Sequence, residues 1–232
     1  MISIVTPILN EEKQITRFLN NLRDLKGLFE VILVDGGSSD HTLTEVSRNI
    51  DGFCHPIRFF QSDRGRAVQM NRGAEKARGD ILLFLHSDCQ IPRDVLTVIE
   101  RVISTQEAIG GGFKHTFSDS KISLRVLSSF GNFRAGLTEI FFGDHGIFLR
   151  RDVFRKIGGY DETSFLEDVE LCKKAKKYGR LLQIDRYISA SPRRFFAEGE
   201  TTVIIAYAVA YGLNIFGFKP NFLKKYFLRA EK

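Results

Sequence analysis

The first hundred residues alternate between two hydrophobic patterns. "ISIVT" (2–6), "EVILVD" (30–35), "IRFFQ" (57–61) and "ILLFL" (81–85) are apolar at nearly every position and predict strands. Between them the spacing is helical. Within 11–25, Ile15, Phe18, Leu19 and Leu22 fall on one face, "SSDHTLTEVSRN" opens another helix, and 67–77 predicts a third. Strands buried on both faces, separated by helices, predict crossover connections and a mostly parallel sheet flanked by helices, an α/β fold.

After about residue 105 the rhythm changes. "IGGGFKHTF" (109–117) predicts an extended segment, and "GIFLRRDVFRKIGGY" (146–160) a strand leading into a short helix. "FLEDVELCKKAKKYG" (165–179) predicts a helix that closes in basic residues and Gly179. Residues 201–218 carry no charge; Lys219, Lys224, Lys225 and Arg229 then interleave with Phe222, Tyr226 and Phe227. This is a C-terminal apolar and basic helical extension, either packed on the domain or, through 201–229, docked on an anionic membrane surface. The expected division is a domain over 1–198 and the extension over 199–232.

Composition narrows the function. The 232 residues are 43% hydrophobic and 27% charged, ordinary globular values. The net charge of +6 suits an anionic partner. No long Lys/Arg run or nucleic-acid motif accompanies it, so nucleic acid is not expected. Cys54, Cys89 and Cys172 are too scattered for a disulfide framework or a paired-cysteine zinc site. The N-terminus lacks the basic start and apolar core of a secretory signal. A cytoplasmic location is expected, peripheral on the inner face of the cell membrane if the extension docks there.

Polar residues gather where the strands end: "TPILNEE", "VDGGSSD", "QSDRGRAVQMNRG" and "HSD". One such ending is a turn, whereas four in succession build a cleft at the carboxyl edge of the sheet, where open α/β folds bind ligands. Helix N-termini facing that cleft would favour phosphate.

These stretches together resemble a known family. "SIVTPILNEE", "EVILVDGGSSDHT", "ARGDILLFLHSD" and "FLEDVEL" are similar, in order, to the family 2 glycosyltransferases of the GT-A (Rossmann-like) fold. "GRAVQMNRGA", "GDHGIFLRRDVF" and "SPRRF" further resemble a small bacterial-type subgroup often associated with arsenosugar biosynthesis. The resemblance implies sugar transfer from a nucleotide-diphosphate donor, of UDP or GDP type, to an unknown acceptor hydroxyl, with inversion and with Mg²⁺ or Mn²⁺. About 1–105 would hold the nucleotide and about 106–198 the acceptor and base.

It also implies residue roles. Asp168 would be the general base and Glu167 its positioner. Thr6, Pro7, Asn10, Glu11, Asp35, Arg66 and Gln69 would bind the nucleotide. Asp88 and His86 would hold the metal, although His86 stands where many relatives carry Asp. Asp144 and His145 would face the acceptor or donor sugar, and Arg193 and Arg194 would clamp the pyrophosphate. The alternatives are a non-catalytic, membrane-associated nucleotide-sugar binder and a sugar-phosphate nucleotidyltransferase. The latter would open with a glycine-rich basic loop, which the acidic "TPILNEE" is not.

Overall fold

The computed structural model describes residues 1–105, 107–164 and 166–215. Strands β1 (Ile2–Ile8), β2 (Phe29–Asp35), β3 (Ile57–Gln61) and β4 (Ile81–Phe84) pair in parallel in the order β3-β2-β1-β4. Helices α1 (Ile15–Arg23), α2 (Thr42–Ile50) and α3 (Arg66–Lys76) connect them. Every residue of β1, β2 and β4 is buried, which explains their unbroken apolar runs.

The second half contains β5 (Cys89–Gln90), α4 (Val95–Ser104), β6 (Gly110–Phe117), α5 (Ile122–Thr138), β7 (Ile147–Arg150), α6 (Arg151–Lys156), α7 (Glu167–Ala175), β8 (Leu181–Ala190), α8 (Arg193–Glu198) and α9 (Glu200–Ile215). All strands join one sheet in the order β3-β2-β1-β4-β7-β6-β8-β5. The sheet is mostly parallel, as expected, with two strands reversed. β7 is antiparallel to β4 and β6, and β5 to β8, while β6 and β8 run parallel. The cause is visible in the register: Ile147, the first residue of β7, pairs with Phe84, the last of β4. The chain therefore enters β7 from the edge at which β1, β2 and β4 end.

Two apolar layers sandwich the sheet. On one face Ile4, Leu33 and Leu83 pack with Phe18 and Leu22 of α1 and with Leu96 and Ile99 of α4. On the other, Val5, Val34 and Phe84 pack with Met70 of α3 and Leu171 of α7. Helix α9 packs on this second side, with Ala206 and Tyr211 against Leu166, Val169, Ile140 and Phe142. No helix among the described residues is long and apolar enough to cross a membrane. The basic part of the extension, 216–229, lies outside the described residues.

Helix α5 was not expected, and its faces are inverted. It buries Leu124, Ser128 and Ala135. Its large residues Ile122, Val126, Phe130, Phe133 and Leu137 are instead exposed, each by 63–78%. Their spacing of three and four places them on one stripe.

The glycine run of β6 is a packing requirement. A Cβ on Gly111 would collide with the Leu182 carbonyl of the neighbouring strand, and one on Gly112 would meet the Phe141 ring at 2.6 Å. Gly111→Ala is expected to lower unfolding stability by about 3 kcal/mol, read as a reduced urea midpoint at unchanged m-value.

Candidate functional site

Strands β1, β2, β4, β6 and β8 all deliver their carboxyl ends to one edge, and the 3-10 turn Gly143–His145 lies there too. At the β1 end, the Thr6 hydroxyl is buried without a hydrogen-bond partner, and Pro7 lies in register with Val34. Asn10 adopts a left-handed φ of 54°. Its N–H donates to Ser38 Oγ at 3.0 Å, and its Oδ1 accepts from the Ser39 N–H at 2.9 Å. Asp35 accepts from the N–H groups of Gly37 (3.0 Å) and Ser38 (3.1 Å) and from the Ser38 hydroxyl (2.5 Å). In the structure this carboxylate organises its own turn, an Asx arrangement.

Gln69 plays a comparable part. Its buried Nε2 donates to the carbonyls of Ile8 (2.9 Å) and Val34 (2.7 Å), which fixes the ends of β1 and β2 side by side. Gly36 packs on this amide, where a Cβ would stand 3.0 Å from its Oε1.

Two arginine–glutamate pairs span the cleft in opposite directions. Arg66, at the start of α3, pairs through Nε with Glu167 Oε1 at 3.1 Å, at the start of α7. Arg193, at the start of α8, reaches back to Glu11, donating from Nη1 to Oε2 at 2.6 Å and from Nη2 to Oε1. Its Nε also lies 3.8 Å from Asp88 Oδ2. Burial raises the pKa of both Glu11 and Asp88, against the opposing pull of Arg193. The side chain of Arg194 lies outside what the structure describes.

His86 and Asp168 meet at Gly143. A Cβ on Gly143 would collide with His86 Nε2 and come within 3.0 Å of Asp168 Oδ2, so only glycine fits between them. The Gly143 N–H donates to the Asp168 carboxylate, while Asp168 Oδ1 and His86 Nε2 are buried without partners. Thus His86 faces Asp168, whereas Asp88 faces Arg193. Burial, aided by Arg66, holds the His86 pKa down at about 4, so this imidazole is neutral at pH 7. Burial and the neighbouring Glu167 carboxylate push Asp168 up to about 8.

Asp144 follows Gly143 and its side chain is about a third exposed (34%). Burial opposes its ionisation, but His115 and His145 outweigh that and keep its pKa low. His145 is fully buried and in the structure cannot reach a sugar. Its Nδ1 lies 2.7 Å from the Phe113 carbonyl; that oxygen can only accept, so Nδ1 carries the proton. His115 was not singled out in the sequence, where it reads simply as part of an extended segment.

The family described as "Glycosyl transferase family 2" matches residues 3–158. Glycosyltransferase AglE of Haloferax volcanii is 27% identical over 78% of this chain and 69% of its own length. An undecaprenyl-phosphate 4-deoxy-4-formamido-L-arabinose transferase of Pseudomonas paraeruginosa is 28% identical over 47% of the chain, and a beta-monoglucosyldiacylglycerol synthase of Trichormus variabilis 26% over 73%. The chain spans only 34% and 40% of the lengths of these last two. Among solved structures, TarS of S. aureus with UDP-GlcNAc aligns at TM-score 0.65 and 19% identity, over 82% of this chain and 58% of that one. The mannosyltransferase PcManGT of Pyrobaculum calidifontis, with GDP-Man and Mn²⁺, aligns at 0.67 and 21%, over 81% and 56%. At these identities the structures establish a shared GT-A fold.

The raised pKa of Asp168 has a stability consequence. Between the unfolded carboxyl value near 4 and about 8, the folded chain keeps a proton that the unfolded chain has lost. This group therefore lowers stability as pH rises through that window. Asp168→Asn should be more stable than wild type at pH 8.5, with the difference vanishing toward pH 4. Urea unfolding at both values checks this.

Proposed function

Because the chain belongs to glycosyl transferase family 2, we propose that it transfers a sugar from a UDP- or GDP-type donor to an acceptor hydroxyl, with inversion and with Asp168 as the general base. The observation that carries this reading is the shared cleft. Strand-end residues suited to a nucleotide and the N-terminal carboxylates of α7 open on one edge of one sheet. The base must meet the acceptor hydroxyl across the sugar from the leaving diphosphate; Asp168, in the first turn of α7, would take that role, and Asp88, which faces Arg193 of α8, would serve the diphosphate.

The ion pairs support the remaining roles. Arg66 holds Glu167 and so orients the first turn of α7, which carries Asp168. Arg193 is already held against Glu11 and Asp88; an entering diphosphate offers it a stronger anionic partner, and a guanidinium matches phosphate oxygens bidentately. Asp88 fits a Mg²⁺ or Mn²⁺ ligand, because it offers a hard oxygen donor and its burial makes a second cation favourable. When bound there, the ion would stabilise charge on the leaving diphosphate. His86 is better assigned to the acceptor side, beside Asp168.

A lipid-borne acceptor is the reading favoured by α5. Its exposed apolar stripe is accompanied by Lys121 and Arg125, a combination suited to an anionic bilayer surface. Two relatives are named for lipid compounds, undecaprenyl phosphate and monoglucosyldiacylglycerol.

Asp168→Asn is expected to lower turnover at least about a hundredfold and leave donor affinity within about threefold of wild type, since binding rests on other residues. Release of UDP or GDP measures the first, and thermal shift with and without Mn²⁺ the second. Unchanged turnover, or parallel loss of turnover and affinity, would remove Asp168 from the base role. Separately, Phe130→Ser with Phe133→Ser should weaken sedimentation with phosphatidylglycerol vesicles at least tenfold. Wild type should prefer those vesicles to phosphatidylcholine ones; binding that is indifferent to the pair would sink the bilayer assignment.

A further inference from the structure

Three buried polar atoms converge behind the cleft, each without a hydrogen-bond partner: His115 Nδ1, Asp144 Oδ1 and His145 Nε2. Buried polar groups are ordinarily satisfied, so three orphans in one place call for a ligand. His115 and His145 are 4% and 0% exposed. His115 Nδ1 lies 3.6 Å from Asp144 Oδ2, and His145 Nε2 lies 4.0 Å from Asp144 Oδ1. The three donors stand within 4.8 Å of one another. Neither histidine–aspartate separation is short enough for a hydrogen bond.

The donors are also oriented. With the His145 Nδ1 proton donated to the Phe113 carbonyl, Nε2 presents a bare lone pair toward Asp144. Such a backbone carbonyl partner is what fixes the tautomer of a metal-binding histidine. His115 is held from outside the cluster: its N–H donates to Asn132 Oδ1 at 2.8 Å, and its carbonyl accepts from Asn132 Nδ2 at 2.9 Å. Phe117 and Phe141 pack edge-on against the two imidazoles and form an apolar surround.

We propose that His115, Asp144 and His145 form a binding site for a divalent transition-metal ion, Zn²⁺ by preference, distinct from a diphosphate-linked cation at Asp88. Two imidazole nitrogens and one carboxylate oxygen, with a fourth position for water, make a zinc donor set. Mg²⁺ and Ca²⁺ prefer oxygen ligands throughout. Tetrahedral bonds of about 2.0–2.1 Å place ligands about 3.3 Å apart, so the trio draws together slightly on binding. Asp144, the most exposed of the three, is the member with room to move. Two of the ligands, Asp144 and His145, directly follow Gly143, so the ion would brace the turn that carries the Asp168 hydrogen bond.

The test uses metal-free, full-length protein with no nucleotide present, so its outcome is independent of donor binding or turnover. Co²⁺ is titrated first, its d–d absorption reporting tetrahedral nitrogen and oxygen ligation, and Zn²⁺ then displaces it. One equivalent is expected in wild type and in Asp88→Asn, and a loss of affinity of at least tenfold in Asp144→Asn and in His115→Gln. Asp144→Asn is isosteric and partly exposed, which makes it the variant that keeps its fold, checked by circular dichroism. The absence of saturable binding in wild type would overturn the proposal and leave a bridging water in the cluster. Binding lost in Asp88→Asn but kept in Asp144→Asn would overturn it equally, by returning the ion to the diphosphate.

Discussion

The cleft gathers five carboxylates, those of Glu11, Asp88, Asp144, Glu167 and Asp168, into a partly desolvated space, and that charge must be balanced for the fold to persist. Removing an ionised carboxylate from water without a partner costs several kcal/mol. Arg66 answers Glu167 and Arg193 answers Glu11 and Asp88. Each arginine comes from one half of the chain and its glutamate from the other. The same contacts that balance charge therefore close the two halves around the cleft. Asp144 lies beside His115 and His145, and burial with the neighbouring Glu167 raises the pKa of Asp168.

This balance also explains why the cleft suits an anionic, cation-carrying ligand. Both arginines face carboxylates on which burial weighs, so neither is idle, yet Arg193 is only partly withdrawn from solvent. On the proposed reading, a diphosphate bringing its own metal would exchange one set of charges for another with little change in the total. Catalysis of this kind depends on charges positioned in advance rather than assembled during the reaction.

Much of the first half was legible because burial on both faces leaves an unmistakable apolar run. The strand ends at Thr6, Asp35 and Asp88 followed directly. What was illegible depended on distance or on inverted packing. Nothing local in "SPRRF" indicates that Arg193 meets Glu11, 182 residues away. His86 was read with Asp88, whereas Gly143 packs against both its Nε2 and Asp168 Oδ2. β8 alternates and carries exposed Asp185 and Arg186, so it lacks the signature of a buried strand. His115 needed the β6–α5 contact through Asn132 to become visible as part of a cluster. Motif position alone did not indicate that Asp35 also organises its own turn.

Helix α5 turns Leu124, Ser128 and Ala135 inward and five large apolar residues outward, unlike an ordinary amphipathic surface helix. Folding thus leaves a body of apolar hydration water in place that most domains release when they fold. Whatever covers the stripe releases it instead, so that association carries a negative heat-capacity change. Near room temperature its driving force is entropic and turns increasingly enthalpic on warming. Part of the thermodynamics that normally belongs to the folding of a domain is here deferred to an encounter.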